Sequence, residues 1–153
     1  MKKGLIIILF ALFAMSNVKA QSVGFGATMF NGATALEVRG SYSINENISL
    51  TPYLDYYMGM PSGTSMMMFG VDGHYSLGDP DALDFYPLAG VGLVKVSVSG
   101  VGISGSANGA YFDLGGGATY ALSEKLKLFG EAKYYIAGDG AVGFSAGFFY
   151  SFN

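Results

Sequence analysis

Cysteine and tryptophan are both absent from the chain. Without cysteine there can be no disulfide, no thiolate metal site, no thiol nucleophile and no lipidated N-terminal cysteine. Charge is also scarce. Asp, Glu, Lys and Arg make up 12% of the residues, about half the ~25% of an ordinary soluble domain. The net charge is −3 and no basic cluster exists, so no nucleic-acid partner is expected. No cofactor or metal ligand set is expected either, and no carboxylate group has the spacing of a calcium loop. Long apolar runs are missing beyond the first twenty residues. Each stretch there is broken by a charge, a proline or a glycine cluster, so no helix of spanning length (about 20 residues) is available.

What the chain does contain is apolar and small. Apolar residues make up 51% of its 153 positions, and 24 are glycine. The length suits one domain. Residues 1–20, "MKKGLIIILFALFAMSNVKA", have the layout of a secretory signal peptide. Lys2 and Lys3 precede an apolar stretch from Gly4 to Met15, and Val18-Lys19-Ala20 ends in a small residue that a signal peptidase accepts. Gln21 is the expected mature N-terminus, and 21–153 the single domain.

The rest alternates with period two, the signature of strands. In "ALEVRGSYSI", Leu36, Val38, Tyr42 and Ile44 share one face, while Glu37, Arg39, Ser41 and Ser43 share the other. In "LKLFGEAKYYI", Lys127, Glu131 and Lys133 oppose Leu128, Ala132, Tyr134 and Ile136. Eight strands are expected, near 22–30, 33–44, 48–59, 65–77, 85–99, 110–122, 126–136 and 141–152. Polar triplets at Asn45–Asn47 and Ser123–Lys125 form tight turns, and "MPSGTS", "GVGISGSANG" and "AGDG" read as Gly- and Ser-rich loops.

Alternation alone leaves open which face is inside. The polar face is mostly Ser, Thr, Gly, Ala and Tyr, too poor in charge for a water surface. Aromatic residues on the apolar face sit at the strand ends. Tyr42, Tyr75, Tyr120, Tyr150 and Phe152 lie toward the tight turns; Phe112, Tyr134, Phe144 and Tyr56 lie toward the other end. Two such girdles mark a barrel with its apolar face on lipid and its polar face in the lumen. The expected fold is an all-β, eight-stranded antiparallel up-and-down transmembrane barrel. Glu37, Arg39, Asp55, Asp72, Lys95, Asp113, Lys127, Glu131 and Lys133 are then lumen charges, with His74 beside them. A lysine or arginine on mid-bilayer lipid costs roughly 2–4 kcal/mol, so the facing is strongly specified. Turn positions set Lys133 opposite Gly115 and Glu131 opposite Gly117. On the other side, a turn between Gly138 and Asp139 with one bulge residue sets Lys133 opposite Ser145 and Glu131 opposite Gly147.

The chain resembles the small outer-membrane β-barrel proteins, the OmpA-, OmpX- and opacity-type group, over its whole mature length. The most specific element is the C-terminus. Members end in polar, any, Gly, any, any, aromatic, any, aromatic; Ser145, Gly147, Tyr150 and Phe152 match in order, with Asn153 trailing. The resemblance implies residence in the bacterial outer membrane with periplasmic termini, contact with lipid and lipopolysaccharide, insertion by the barrel assembly machinery, and a monomer. It does not imply one activity, because the same barrel carries structural proteins, adhesins and enzymes.

Three constellations have a functional and a plainer reading. Gly100, Gly102 and Gly105 spell a dinucleotide fingerprint, but no helix follows them, so a loop is expected. His74 and Ser76, with Asp72 or Asp84, have the residue types of a lipid A-modifying triad; hydrogen bonding in the lumen is the plainer role. Met58, Met60, Met66, Met67 and Met68 suit copper(I) or an adaptable surface, and equally the tops of strands. The expected function is a non-enzymatic structural or surface-interaction role without an open pore. A lipid A-modifying enzyme and a narrow channel or small-ligand barrel are the alternatives.

Overall fold

A computed structural model describes residues 21–58, 60–61, 63–100 and 102–152. The expected signal peptide, at 1–20, lies outside these residues. The described chain forms eight strands: β1 (Gln21–Phe30), β2 (Ala33–Ser43), β3 (Ile48–Met58), β4 (Thr64–Tyr75), β5 (Leu83–Gly100), β6 (Ile103–Ala121), β7 (Leu126–Ile136) and β8 (Ala141–Ser151). Each pairs antiparallel with its neighbours in sequence, and β1 pairs with β8 to close the barrel. Closure leaves no sheet edge around the body, which is how a spanning sheet satisfies its backbone groups. No helix is long and apolar enough to cross a membrane among the described residues.

The pairing fixes the barrel's geometry. Starting at Gly117, the partners run through Glu131, Ser145, Thr28, Ala35, Tyr57, Met66 and Val96 to Ala107. The circuit returns to β6 ten residues from its start. A shear of that size tilts the strands by ~45°. The wall is inverted relative to a soluble barrel. Among the described residues, buried polar ones (twelve) outnumber buried apolar ones (eleven, five of them tyrosine), and twenty-nine large apolar or aromatic side chains are exposed. Phe25, Val38, Phe69, Val91, Leu114, Leu128 and Phe148 form the outward belt, with Tyr75, Tyr120 and Tyr150 toward the end bearing the chain termini and Tyr56, Phe112 and Tyr134 toward the distal end.

Local chemistry explains the turns and the one gap. Asn31-Gly32 closes the first hairpin with both residues at positive φ, the primed turn that suits strand twist. Between β2 and β3 the ladder skips from Arg39–Tyr53 to Tyr42–Leu50. Pro52 lies in that gap and has no N–H to give. Two expectations need correction. "GVGISGSANG" is not a loop: β5 and β6 continue through it, 18 and 19 residues long, and pair as far as Gly100 with Ile103. Ser and Gly lower strand propensity but permit pairing, and the two strands support one another. The β7–β8 turn centres on Gly138 with no bulge, so Lys133 faces Gly143, Glu131 faces Ser145, and Phe129 takes the place beside Gly147.

Candidate functional site: the lumen and its two ends

The inward residues fall into bands. In the middle band Arg39 is the hub. Its Nε and Nη2 donate to the two oxygens of Glu37, at 2.8 and 2.7 Å, and Nη1 donates to Glu131 Oε1 at 2.6 Å. Residues two apart on a strand share a face, so β2 supplies the bidentate pair alone and β7 reaches it from across the barrel. The guanidinium also lies 4.1 Å from the centre of the Phe129 ring, a cation–π contact. Tyr86 donates to Glu131 Oε1 at 2.8 Å. Lys133 binds Asp72 Oδ2 and sits 4.0 Å over the Tyr53 ring. Tyr53 donates to Asp113 Oδ2 at 3.0 Å; with its one hydrogen so used, the 2.7 Å contact to Tyr111 has Tyr111 as donor. Thr28 and Ser145 share a hydrogen bond at 2.9 Å.

Glycine makes this packing possible. Lys133 is flanked by Gly115 and Gly143, and Glu131 by Gly117 and Ser145. A β-carbon at Gly117 would stand 2.6 Å from Glu131 Cγ and 2.8 Å from the Tyr86 hydroxyl. An eight-stranded interior is just wide enough for side chains, so long ones fit only beside small ones. Distal to the charges lies a second band of Tyr57, Met66, Met68, Tyr111 and Tyr135, with Phe30, Met60, Val94 and Val96 against it. The Phe30 and Tyr135 rings meet edge to face at 5.0 Å. Together the bands fill the lumen.

The end bearing the termini is more open. A cavity of about 120 Å³ there is lined by polar residues including Ser41, Asn47, His74, Ser76, Asp84 and Lys127. The β4–β5 connection, residues 76–82, crosses beside it and is held by Lys127, which donates to Pro80 O at 2.6 Å. His74 stacks on Tyr86 with ring centres 4.5 Å apart. Its Nε2 and the Ser76 hydroxyl have no hydrogen-bond partner, and Asp84 is engaged by the Gly78 N–H at 2.8 Å. Among the described residues no hydrogen bond joins His74, Ser76 and an acid into a triad. Among the described residues no three His, Asp or Glu side chains converge on a metal position.

The sequence-expected site residues therefore separate. Glu37, Arg39, Asp55, Asp72, Asp113, Glu131 and Lys133 are buried in the lumen, with His74 at its edge. Lys127 lies at the mouth, partly exposed. Lys95 does not enter the lumen: it faces outward, because its neighbour Val94 pairs with inward Met68. It lies beyond the apolar belt, toward the distal rim, where its ammonium reaches water at little cost. The methionines split across the wall, Met66 and Met68 inside and Met58 outside. Ser145 and Gly147 face inward; Tyr150 and Phe152 are exposed outside. Reasoning from charges alone missed the tyrosine hydroxyls of Tyr53, Tyr86 and Tyr111, although their parity with the neighbouring acids was readable.

No family model matches the chain, and no curated protein matches it in sequence. Solved structures do match its fold. The N-terminal β-barrel domain of Pseudomonas aeruginosa OprF superposes with a TM-score of 0.78 at 14% identity, covering 88% of this chain and 98% of that one. Neisserial surface protein A gives 0.67 at 16% identity, covering 86% and 94%. Ail, the attachment invasion locus protein of Yersinia pestis, gives 0.62 at 17%, covering 87% and 97%. The fold is that of the small eight-stranded outer-membrane barrels.

Proposed function

We propose that the chain is a small integral protein of the bacterial outer membrane, with a closed barrel as its anchor and a structural or surface-interaction role. The observation that carries this reading is the inverted wall. An apolar, aromatic-bordered exterior surrounds a charged interior, an arrangement stable only with lipid outside. The filled lumen argues against a general porin, and the unjoined His74, Ser76 and Asp84 argue against catalysis. Lipid and lipopolysaccharide are the partners of the belt, and the barrel works as a monomer with periplasmic termini. The closing strand presents Ser145, Gly147, Tyr150 and Phe152 to the barrel assembly machinery.

The interaction surface of this reading is the β5–β6 hairpin. β4 accompanies β5 only to Val98, and β7 accompanies β6 only from Phe112. Beyond these limits the hairpin projects from the distal rim, and the backbone of residues 103–111 has no strand on its β7 side. A free edge of this kind can accept a strand from a partner. The absence of native cysteine permits a clean test. A Ser106→Cys variant on intact cells should react with an impermeant maleimide, while Ser123→Cys should react only after lysis. The opposite pattern would reverse the orientation, and equal labelling of both would remove the membrane reading.

A further inference from the structure

The end of the lumen that bears the termini holds space that the ion-packed middle does not. Its cavity of about 120 Å³ has room for about four waters at ~30 Å³ each, the bulk of one small polar group. Asp84 forms part of its wall and is 6% exposed. Its Oδ1 accepts the Gly78 N–H at 2.8 Å, and among the described residues it forms no ion pair. Lys127, the ammonium in the lining, is turned to the β4–β5 connection instead. It donates to Pro80 O at 2.6 Å and lies 3.6 Å from Asp81 Oδ1. Glu46 adds a second carboxylate at the rim. The Ser76 hydroxyl lines the same space, buried and without a partner, and has lone pairs to accept a hydrogen bond. The floor is aromatic: His74 stacked on Tyr86, ring planes 9° apart, with Phe149.

A buried carboxylate without a cation, a free acceptor and an aromatic surface thus meet around an open space. Asp84 and Glu46 repel an anion, and a neutral occupant leaves Asp84 without the counter-charge whose lack burial penalises. We propose that this mouth binds a small organic cation of the guanidinium class. A planar guanidinium pairs with a carboxylate through directed N–H bonds and also stacks on aromatic rings, whereas an ammonium acts as a compact point charge. Asp84 supplies the charge, Ser76 accepts a hydrogen bond, and the His74–Tyr86 stack with Phe149 supplies the face. The barrel thereby gains a ligand-binding role beyond anchorage. Spacing in the sequence hides the site, because Glu46 comes from the β2–β3 turn, Ser76 from the β4–β5 connection and Asp84 from β5.

The test titrates the folded mature barrel, in detergent at low salt, with arginine amide and with citrulline amide, its uncharged analogue of the same shape. His74 is the only histidine, so its imidazole proton resonances report on the floor of the site. Arginine amide should shift them saturably, and citrulline amide should leave them in place. Asp84→Asn keeps an acceptor for the Gly78 N–H and should weaken affinity at least about tenfold. Glu46→Gln, on an exposed turn, should weaken it about two- to threefold and serves if Asp84→Asn does not fold. A capped glycine–arginine–glycine peptide that shifts His74 as strongly assigns the site to an arginine side chain of a polypeptide. A peptide without effect, beside active arginine amide, assigns it to a free small molecule; the guanidinium class stands in both cases. Three results would overturn the proposal: no saturable shift with arginine amide, an equal shift with citrulline amide, or unchanged affinity in Asp84→Asn (in Glu46→Gln where that variant stands in for it).

Discussion

The middle of the lumen is packed with ions, and its distal part with tyrosine and methionine. Both bands lie on the same eight strands and are equally buried, yet they tolerate error differently. In the distal band Met66 and Met68 are unbranched and flexible, and fill irregular space without needing a partner. In the middle band the charged groups depend on named atoms, Glu37 on Arg39 of its own strand and Glu131 on Arg39 from across the barrel. The distal band supplies bulk that closes the bore. The middle band supplies register, since a slip of one residue would turn Glu37, Arg39, Glu131 and Lys133 onto lipid.

Substitutions can break this contrast, and the largest effect is expected at the hub. Arg39→Met leaves Glu37 without its cation and Glu131 with only the longer Lys133 contact, at 3.8 Å, and should cost roughly 3–5 kcal/mol, measured by urea unfolding in detergent or bilayers. The triple change Arg39→Met, Glu37→Gln, Glu131→Gln should recover much of it. Next is the outer wall. Val91→Lys places an ammonium in the apolar belt and should cost about 2–4 kcal/mol, whereas Lys95→Val, at the rim of the same strand, should be nearly neutral. Met68→Ala in the distal band should cost about 2 kcal/mol, the low end for a buried methionine, because Met66 and Met60 can shift into the gap. The smallest effect is at the hairpin tip. Gly102 has φ +83°, so Gly102→Ala should cost about 1 kcal/mol, read as faster amide exchange in residues 98–106 with the barrel's unfolding midpoint unchanged.

Most of the wall was legible from alternation because the two faces differ chemically. β2, β3 and β7 carry acids or bases on one face only, so their parity reads directly. β5 does not. "FYPLAGVGLVKV" is apolar on both sides, and Lys95 is the only charge in it, so the sequence pulls Lys95 inward when the strand's facing is set by pairing with β4 and β6. The β7–β8 register was missed by two residues for a related reason. "AGDG" permits several turn centres, and only the closed barrel selects one. That shift changes the meaning of Gly147. It makes room not for Glu131 but for the Phe129 ring, 2.8 Å from where its β-carbon would lie, and for Gly26 of β1 at 2.6 Å. A Gly147→Leu variant should therefore fail to close β8 onto β1. The ion pairs themselves required the shear of the barrel, since Arg39 and Glu131 are 92 residues apart in the chain.

The central claim is that this wall faces lipid. It is tested most directly by fractionating cells that produce the full chain and running the outer-membrane fraction on a gel with and without boiling. The account predicts a compact band in the outer-membrane fraction of the unboiled sample that shifts to a different mobility on heating. Recovery of the folded chain as a soluble periplasmic protein, with no heat-dependent shift, would contradict it.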